Sequence, residues 1–360
     1  MNVPFLDLAR YLPGEKERLS LAAERVLSRG RFVLGPEVEA FEQEFAAFVG
    51  AAYAVGVANG TDAITLGLTA LGIRAGDEVL TVSMTCAPTA TGILRAGATP
   101  VFVDVSDEDL TMDPALLEEA LTEATRAIVP VHLYGRPAAM EELRSFASAH
   151  GLALFEDCAQ AHGTRLAGRG AGTFGNGASW SFYPTKNLGA IGDGGAVTTD
   201  DPEIAARLKR LRLYGYATRN DSQELGWNSR LDELQAAFLR ERLALLPQAN
   251  ARRAAIAARY DAALMGAVRT PRTPREDQVD AHHLYVVRVP DRDAFRARLA
   301  ERGVGTDVHY PRAVHEQQAF ASLPGLSLPV TEAASAEVVS LPCYPMLRDD
   351  EVDAIIDAIL

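Results

Sequence analysis

The chain has 360 residues, 48% of them hydrophobic, which is enough for two cores or for one large domain with an appendage. A net charge of −13 argues against nucleic acid or an anionic membrane surface as the main partner, while leaving room for a locally basic pocket. Three scattered cysteines (Cys86, Cys158, Cys343) make a CxxC metal site or a disulfide framework unlikely and predict a reducing, cytoplasmic setting.

Met1-Asn2-Val3-Pro4-Phe5-Leu6-Asp7 lacks a basic-then-apolar leader, and no apolar run approaches 18 residues. Neither a secretory signal nor a membrane span is expected. The stretch to about residue 30 reads as a partly helical arm. Leu34-Gly35-Pro36-Glu37 breaks it, and Pro36 opens a helix to Val49 with Val38, Phe41, Phe45 and Phe48 near a 3.6 period.

From about 53 to 200 the pattern alternates. Strands are predicted at Tyr53–Val57, Glu78–Val82, Thr99–Val103, Ala127–Val131, Leu152–Phe155, Ala178–Phe182 and Ala196–Thr199. Helices are predicted between several of them, at Asp62–Leu71, Pro114–Leu121 and Ala139–His150. Unbroken apolar strands separated by helices imply an α/β fold with a mainly parallel sheet of seven strands, covered on both faces. A long helical stretch, about Arg230 to Leu264, is expected to break near Pro247. Beyond it a strand at His283–Val289 and helices at Asp293–Arg302 and Asp350–Leu360 predict a smaller α+β domain. The expected division is a large domain over 1–244, arm included, and a small one over 245–360.

Ligands of such sheets bind at the carboxyl ends of strands. Lys186 lies there, in Ser181-Phe182-Tyr183-Pro184-Thr185-Lys186-Asn187-Leu188-Gly189, ahead of Gly192-Asp193-Gly194-Gly195. Asp157 ends another apolar run. A lysine and an acid so placed suit a Schiff base with pyridoxal 5'-phosphate (PLP) and a carboxylate for its ring nitrogen. Gly60 and Thr61 open a helix after a strand, where free N–H groups and the dipole favour a phosphate. Plain N-capping is the competing reading there. Gln160 is a candidate donor to the cofactor's phenolic oxygen. His162 reads as a structural turn residue, and Asn228 stands just before a helix. The string Gly172-Thr173-Phe174-Gly175-Asn176-Gly177 resembles a dinucleotide loop, but it precedes a strand, which argues against a nicotinamide fold.

Five ordered motifs resemble the DegT/DnrJ/EryC1/StrS family of PLP-dependent sugar aminotransferases: Gly60–Ala63, Pro130–Gly135, Glu156–Gly163, Ser181–Gly189 and Asn228–Ala236. The resemblance runs from Phe5-Leu6-Asp7-Leu8 to Leu341-Pro342-Cys343-Tyr344-Pro345. It implies the aspartate-aminotransferase fold (fold type I) and a homodimer with shared active sites. Lys186 is then the Schiff-base lysine and general acid–base, Asp157 pairs with the ring nitrogen, and Gln160 meets the phenolic oxygen. Gly60, Thr61 and Ser181 hold the phosphate, and Asn228 reaches the neighbouring subunit's cofactor. Cys86 stands where the family commonly has an aromatic residue over the ring.

The segment Gly305–His315 resembles members acting on 3-keto nucleotide sugars. That makes His309 and Tyr310 candidate substrate residues, with Phe32 and Tyr183 as further candidates. The implied reaction passes an amino group, expected from glutamate, to a nucleotide-linked keto-deoxysugar, at C3 of a dTDP-3-keto-6-deoxyhexose. C4 amination and a PLP-binding regulatory role are the alternatives.

Overall fold

The computed structural model describes residues 2–320, 323 and 327–360. Seven strands form one sheet: β1 (Tyr53–Val57), β2 (Glu78–Val82), β3 (Thr99–Val103), β4 (Thr125–Val129), β5 (Ala153–Asp157), β6 (Gly177–Ser181) and β7 (Gly195–Thr199). Their order is β1-β7-β6-β5-β4-β2-β3. All run parallel except β7, which is antiparallel to β1 and β6. The seven apolar runs of the sequence are these seven strands, shifted by a residue or two at some ends.

α1 (Glu15–Arg29) packs against the long helix that begins at Glu233, and around the sheet pack α2 (Pro36–Val49), α3 (Gly60–Ala70), α4 (Ala87–Arg95), α5 (Met140–His150) and α6 (Pro202–Leu211). Pro36 sits in the first turn of α2, and the carboxylate of buried Glu233 accepts the N–H groups of Gly35, Glu37 and Val38. A side chain from a distant helix thus caps α2. Gly67 lets α3 lie close on the sheet, because a Cβ there would meet the Phe155 ring at 2.2 Å. The predicted helix at Pro114–Leu121 is shorter: a 3₁₀ turn at Pro114–Leu116 and one helical turn at Leu117–Ala120.

α7 runs unbroken from Glu233 to Leu264, 32 residues, through Pro247. The expected break is therefore absent. Buried Leu243, Leu246 and Ala249 flank the proline and hold both sides against protein. Beyond α7 lie β8 (Tyr285–Arg288), α8 (Arg292–Glu301), α9 (Pro329–Glu337), β9 (Val338–Leu341) and α10 (Asp349–Ile359). β8 and β9 pair antiparallel.

A second core gathers Ile256, Tyr260 and Leu264 of α7 with Tyr285, Val287, Leu299, Val352 and Ile355. Val3 joins this core; its N–H donates to the Gly303 carbonyl and its carbonyl accepts the Gly305 N–H, both at 2.8 Å, so the arm's first residues pack with the C-terminal half. We propose two structural units whose boundary lies within α7. Among the described residues, no helix is long and apolar enough to cross a membrane.

Candidate active site

A cavity of about 490 Å³ opens at the carboxyl ends of β1, β2, β5 and β6. Gly60, Thr61, Asp157, Gln160, Ser181, Tyr183 and Lys186 all line it, together with Cys86 and Thr89. Asn59, Thr85, Arg95 and Asp193 complete its polar wall.

One end of the cavity is built by the N-terminus of α3. Asn59 caps the helix, its Oδ1 accepting the Asp62 N–H at 2.8 Å while its carbonyl accepts from Ala63 at 3.0 Å. The Gly60 and Thr61 N–H groups make no hydrogen bond among the described residues. A Cβ on Gly60 would meet the Ser181 Cβ at 2.7 Å, so only glycine lets the helix start and the end of β6 approach this closely. Asn59 satisfies the third and fourth donors of the helix and leaves the first two free, as an anion site requires.

Asp157 lies at the end of β5, 4% exposed. Thr89 Oγ1 donates to its Oδ2 at 2.8 Å and the Ala159 N–H to its Oδ1 at 3.1 Å. Thr85 Oγ1 lies 2.9 Å from Thr89 Oγ1. Burial raises the Asp157 pKa, against the pull of these two donors and of Lys186. A buried carboxylate with neutral hydrogen-bond partners and no arginine beside it suits a protonated ring nitrogen.

Lys186 follows a tight turn in which its N–H donates to the Tyr183 carbonyl at 2.8 Å. The residue as a whole is half-buried but its amine is the enclosed part, and desolvation lowers its pKa, offset in part by Cys86 and Asp157. The next residue anchors the loop. Asn187 Nδ2 donates to Asn250 Oδ1 at 2.9 Å and to the Ala281 carbonyl at 2.7 Å, which orients the amide. Its Oδ1 then accepts from His283 Nδ1 at 3.1 Å, so that ring carries its proton on Nδ1. Burial pushes the His283 pKa well down, keeping it neutral.

Gln160 is buried. Its Oε1 accepts the Tyr134 N–H at 2.6 Å and its Nε2 donates to the Tyr310 hydroxyl at 2.9 Å. Tyr310 also lies against the Cys86 thiol, whose pKa burial raises. Phe32 and Asn228 lie on the surface, outside this cavity. Phe32 offers its carbonyl to the Glu233 N–H, and Asn228 bridges to Leu213. His309 stands behind Tyr310, with Nδ1 2.9 Å from Ser340 Oγ.

Two neighbouring features are structural. His162 is fully buried between Phe45, Trp180 and Phe182. The dinucleotide-like string wraps a carboxylate of the chain itself: Glu156 accepts the N–H groups of Gly172, Phe174 and Gly175 at 2.7–2.9 Å. His132 accepts the Ala138 N–H at Nδ1, so its Nε2–H donates to Glu156 at 3.0 Å. Cys158 completes a buried trio with these two, but their donors and acceptors are already matched.

Sequence reasoning missed Thr89, Tyr134 and helix α4. The proline and small residues of Ala87–Arg95 blur its period, but Thr89 follows the end of β2 by seven positions (89 − 82), inside the ligand-binding rim.

A seven-stranded, largely parallel sheet with an enclosed lysine facing a buried aspartate and a helix N-terminus defines a PLP-dependent aminotransferase of fold type I. The chain belongs to the DegT/DnrJ/EryC1/StrS aminotransferase family, whose profile matches residues 13–360. It is 47% identical to the dTDP-3-amino-3,4,6-trideoxy-alpha-D-glucose transaminase of Streptomyces venezuelae, over 99% of this chain and 95% of that one. The crystal structure of S. venezuelae DesV in complex with a ketimine intermediate superposes with a TM-score of 0.97, at 47% identity, covering 99% of this chain and 97% of that one. The Bacillus subtilis NtdA structure, with bound PMP, gives 0.93 at 33% identity, covering 99% and 84%.

Proposed function

We propose that this enzyme moves the amino group of glutamate to C3 of a dTDP-3-keto-6-deoxyhexose. The observation that carries the reading is the enclosed Lys186 amine facing Asp157 across a cavity whose far end is the free N-terminus of α3. The similarity to a transaminase of a C3-aminated dTDP-sugar supports the choice of substrate. Free Cys86, Cys158 and Cys343 suit the cytoplasm.

PLP, when bound, supplies an electron sink conjugated to the substrate nitrogen. Gly60, Thr61 and Ser181 hold its phosphate. Asp157 keeps a proton on the ring nitrogen, and Gln160 donates an amide proton to the phenolic oxygen. Lys186 Nζ would anchor the cofactor, would accept the proton from the donor's α-carbon in the first stage, and would deliver a proton to the sugar's C3 in the second. Desolvation holds that amine in its proton-accepting form at lower pH than a free lysine. Tyr183, His309 and Tyr310 would face the sugar side, and Phe32, outside the cavity of its own subunit, would do so only from the partner subunit. The active unit is a homodimer in which Asn228 reaches the partner's cofactor phosphate, a reading supported by its exposure and by exposed Phe32, Val33 and Leu225.

The test is a two-stage assay. L-glutamate should bleach the visible absorbance of the PLP form and release 2-oxoglutarate. The reverse half-reaction, with dTDP-3-amino-3,4,6-trideoxy-α-D-glucose as amino donor to the PLP form, should bleach it equally. Bleaching by neither compound, or visible absorbance retained in Lys186→Ala, would overturn the reading. Turnover in the glutamate stage separates an enzyme from a regulatory PLP binder.

A further inference from the structure

Tyr134 uses three polar groups in three directions. Its N–H donates to Gln160 Oε1 at 2.6 Å, its hydroxyl donates to the His309 carbonyl, and its own carbonyl accepts the Leu284 N–H at 3.3 Å. The backbone adopts φ 60°, ψ 9°, the left-handed region that tyrosine seldom occupies. Gly135 follows with φ 92°, its carbonyl held by Thr164 Oγ1 at 2.7 Å and by the Ala281 N–H at 2.9 Å. A residue so placed persists only where the surroundings fix it.

That conformation has a chemical consequence. An N–H can only donate, so the atom of Gln160 facing it must be the oxygen. The amide is thereby oriented with both protons on the far side. One goes to the Tyr310 hydroxyl at 2.9 Å, and the other is left for the cavity that Gln160 lines. The same tyrosine grips, through its hydroxyl, the peptide that carries His309 and Tyr310. Burial raises the Tyr134 pKa, so the hydroxyl stays a donor.

We infer that Tyr134 is a positioning residue that sets the sugar-side segment His309–Tyr310 against the cofactor-side amide of Gln160. Its hydroxyl serves the sugar half-reaction, and its backbone N–H serves the cofactor. The inference rests on the reading of His309 and Tyr310 as sugar-side residues.

The two roles separate in Tyr134→Phe, which removes the hydroxyl and keeps the N–H. With dTDP-3-amino-3,4,6-trideoxy-α-D-glucose as donor to the PLP form, KM should rise about three- to tenfold, the effect of one lost hydrogen bond. The glutamate half-reaction, the visible spectrum and the affinity of the apoprotein for PLP, read by fluorescence, should stay within about twofold of wild type. His309→Ala is the control. If His309→Ala raises the sugar KM and Tyr134→Phe does not, the inference about Tyr134 falls alone. If neither moves it, the sugar-side reading falls and takes the inference with it. If Tyr134→Phe impairs the glutamate stage and PLP affinity to the same degree, its hydroxyl is merely structural and the inference fails. Should the variant not fold, 4-fluorophenylalanine at position 134 fills the hydroxyl's space without donating, and is read by the same outcomes.

Discussion

The hydroxyl of Thr89 donates to the carboxylate of Asp157 across 2.8 Å, joining the start of α4 to the end of β5 over 68 positions of sequence. The bond is buried and favours the ionised carboxylate, working against the desolvation that raises the Asp157 pKa.

Replacing Thr89 by valine removes that support at nearly constant volume. The carboxylate then loses a donor that favours its ionised form and pairs less well with a protonated ring. PLP affinity should fall about tenfold, the scale of one hydrogen bond to a charged group. Asp157→Asn should cut turnover by about two to three orders of magnitude. Fluorescence titration of the apoproteins checks the first, and an affinity for PLP unchanged in Thr89→Val would refute it.

His162 makes stability sensitive to acid. Burial among aromatic rings pushes its pKa from 6.5 down to about 3. Neither ring nitrogen has a partner among the described residues. Below pH 6.5 the unfolded chain takes up a proton that the folded chain refuses, so stability is lost as pH falls towards 3. The loss from this residue should reach about 2 kcal/mol at pH 5. His162→Leu should flatten the denaturation-midpoint curve between pH 7 and pH 5. An unchanged slope would show that the ring is solvated or bonded.

Glu156 gathers three backbone N–H groups and the His132 ring into one buried knot. Glu156→Ala leaves four donors stranded, at a cost of about 3–5 kcal/mol. Urea unfolding should show this loss, while the folded fraction keeps a wild-type PLP spectrum. A loss below about 1 kcal/mol would mean that water fills the knot.

The proposed sharing of sites predicts a specific arithmetic for mixed dimers. Lys186→Ala and Asn228→Ala homodimers should each be impaired. A heterodimer of the two carries one intact site and one doubly defective site. Mixing should therefore restore up to half of wild-type activity per heterodimer. No recovery on mixing would place Asn228 outside the partner's site.

Much of this architecture is legible because apolar runs and strand ends are local signals. All seven sheet strands, and the cavity positions of Lys186, Asp157, Gln160, Gly60, Thr61 and Ser181, follow from such runs and the motifs beside them. What stayed hidden is non-local. Pro247 looks like a helix break until the packing of Leu243, Leu246 and Ala249 is known. The glycine string at 172–177 looks like a phosphate loop until Glu156 is found inside it. Thr89 and Tyr134 act through partners 68 and 26 positions away, which no window of sequence connects.

α7 is about 48 Å long at 1.5 Å per residue. One end caps α2 through Glu233, and the other lies in the C-terminal core through Ile256, Tyr260 and Leu264. Between them Asn250 holds both the Asn187 amide, next to Lys186, and the His162 carbonyl. The helix is thus a lever with its fulcrum beside the reactive amine. The loop that carries the lysine is therefore pinned to the same rod that caps α2 and enters the C-terminal core, so the aim of the amine is set by both ends of the helix.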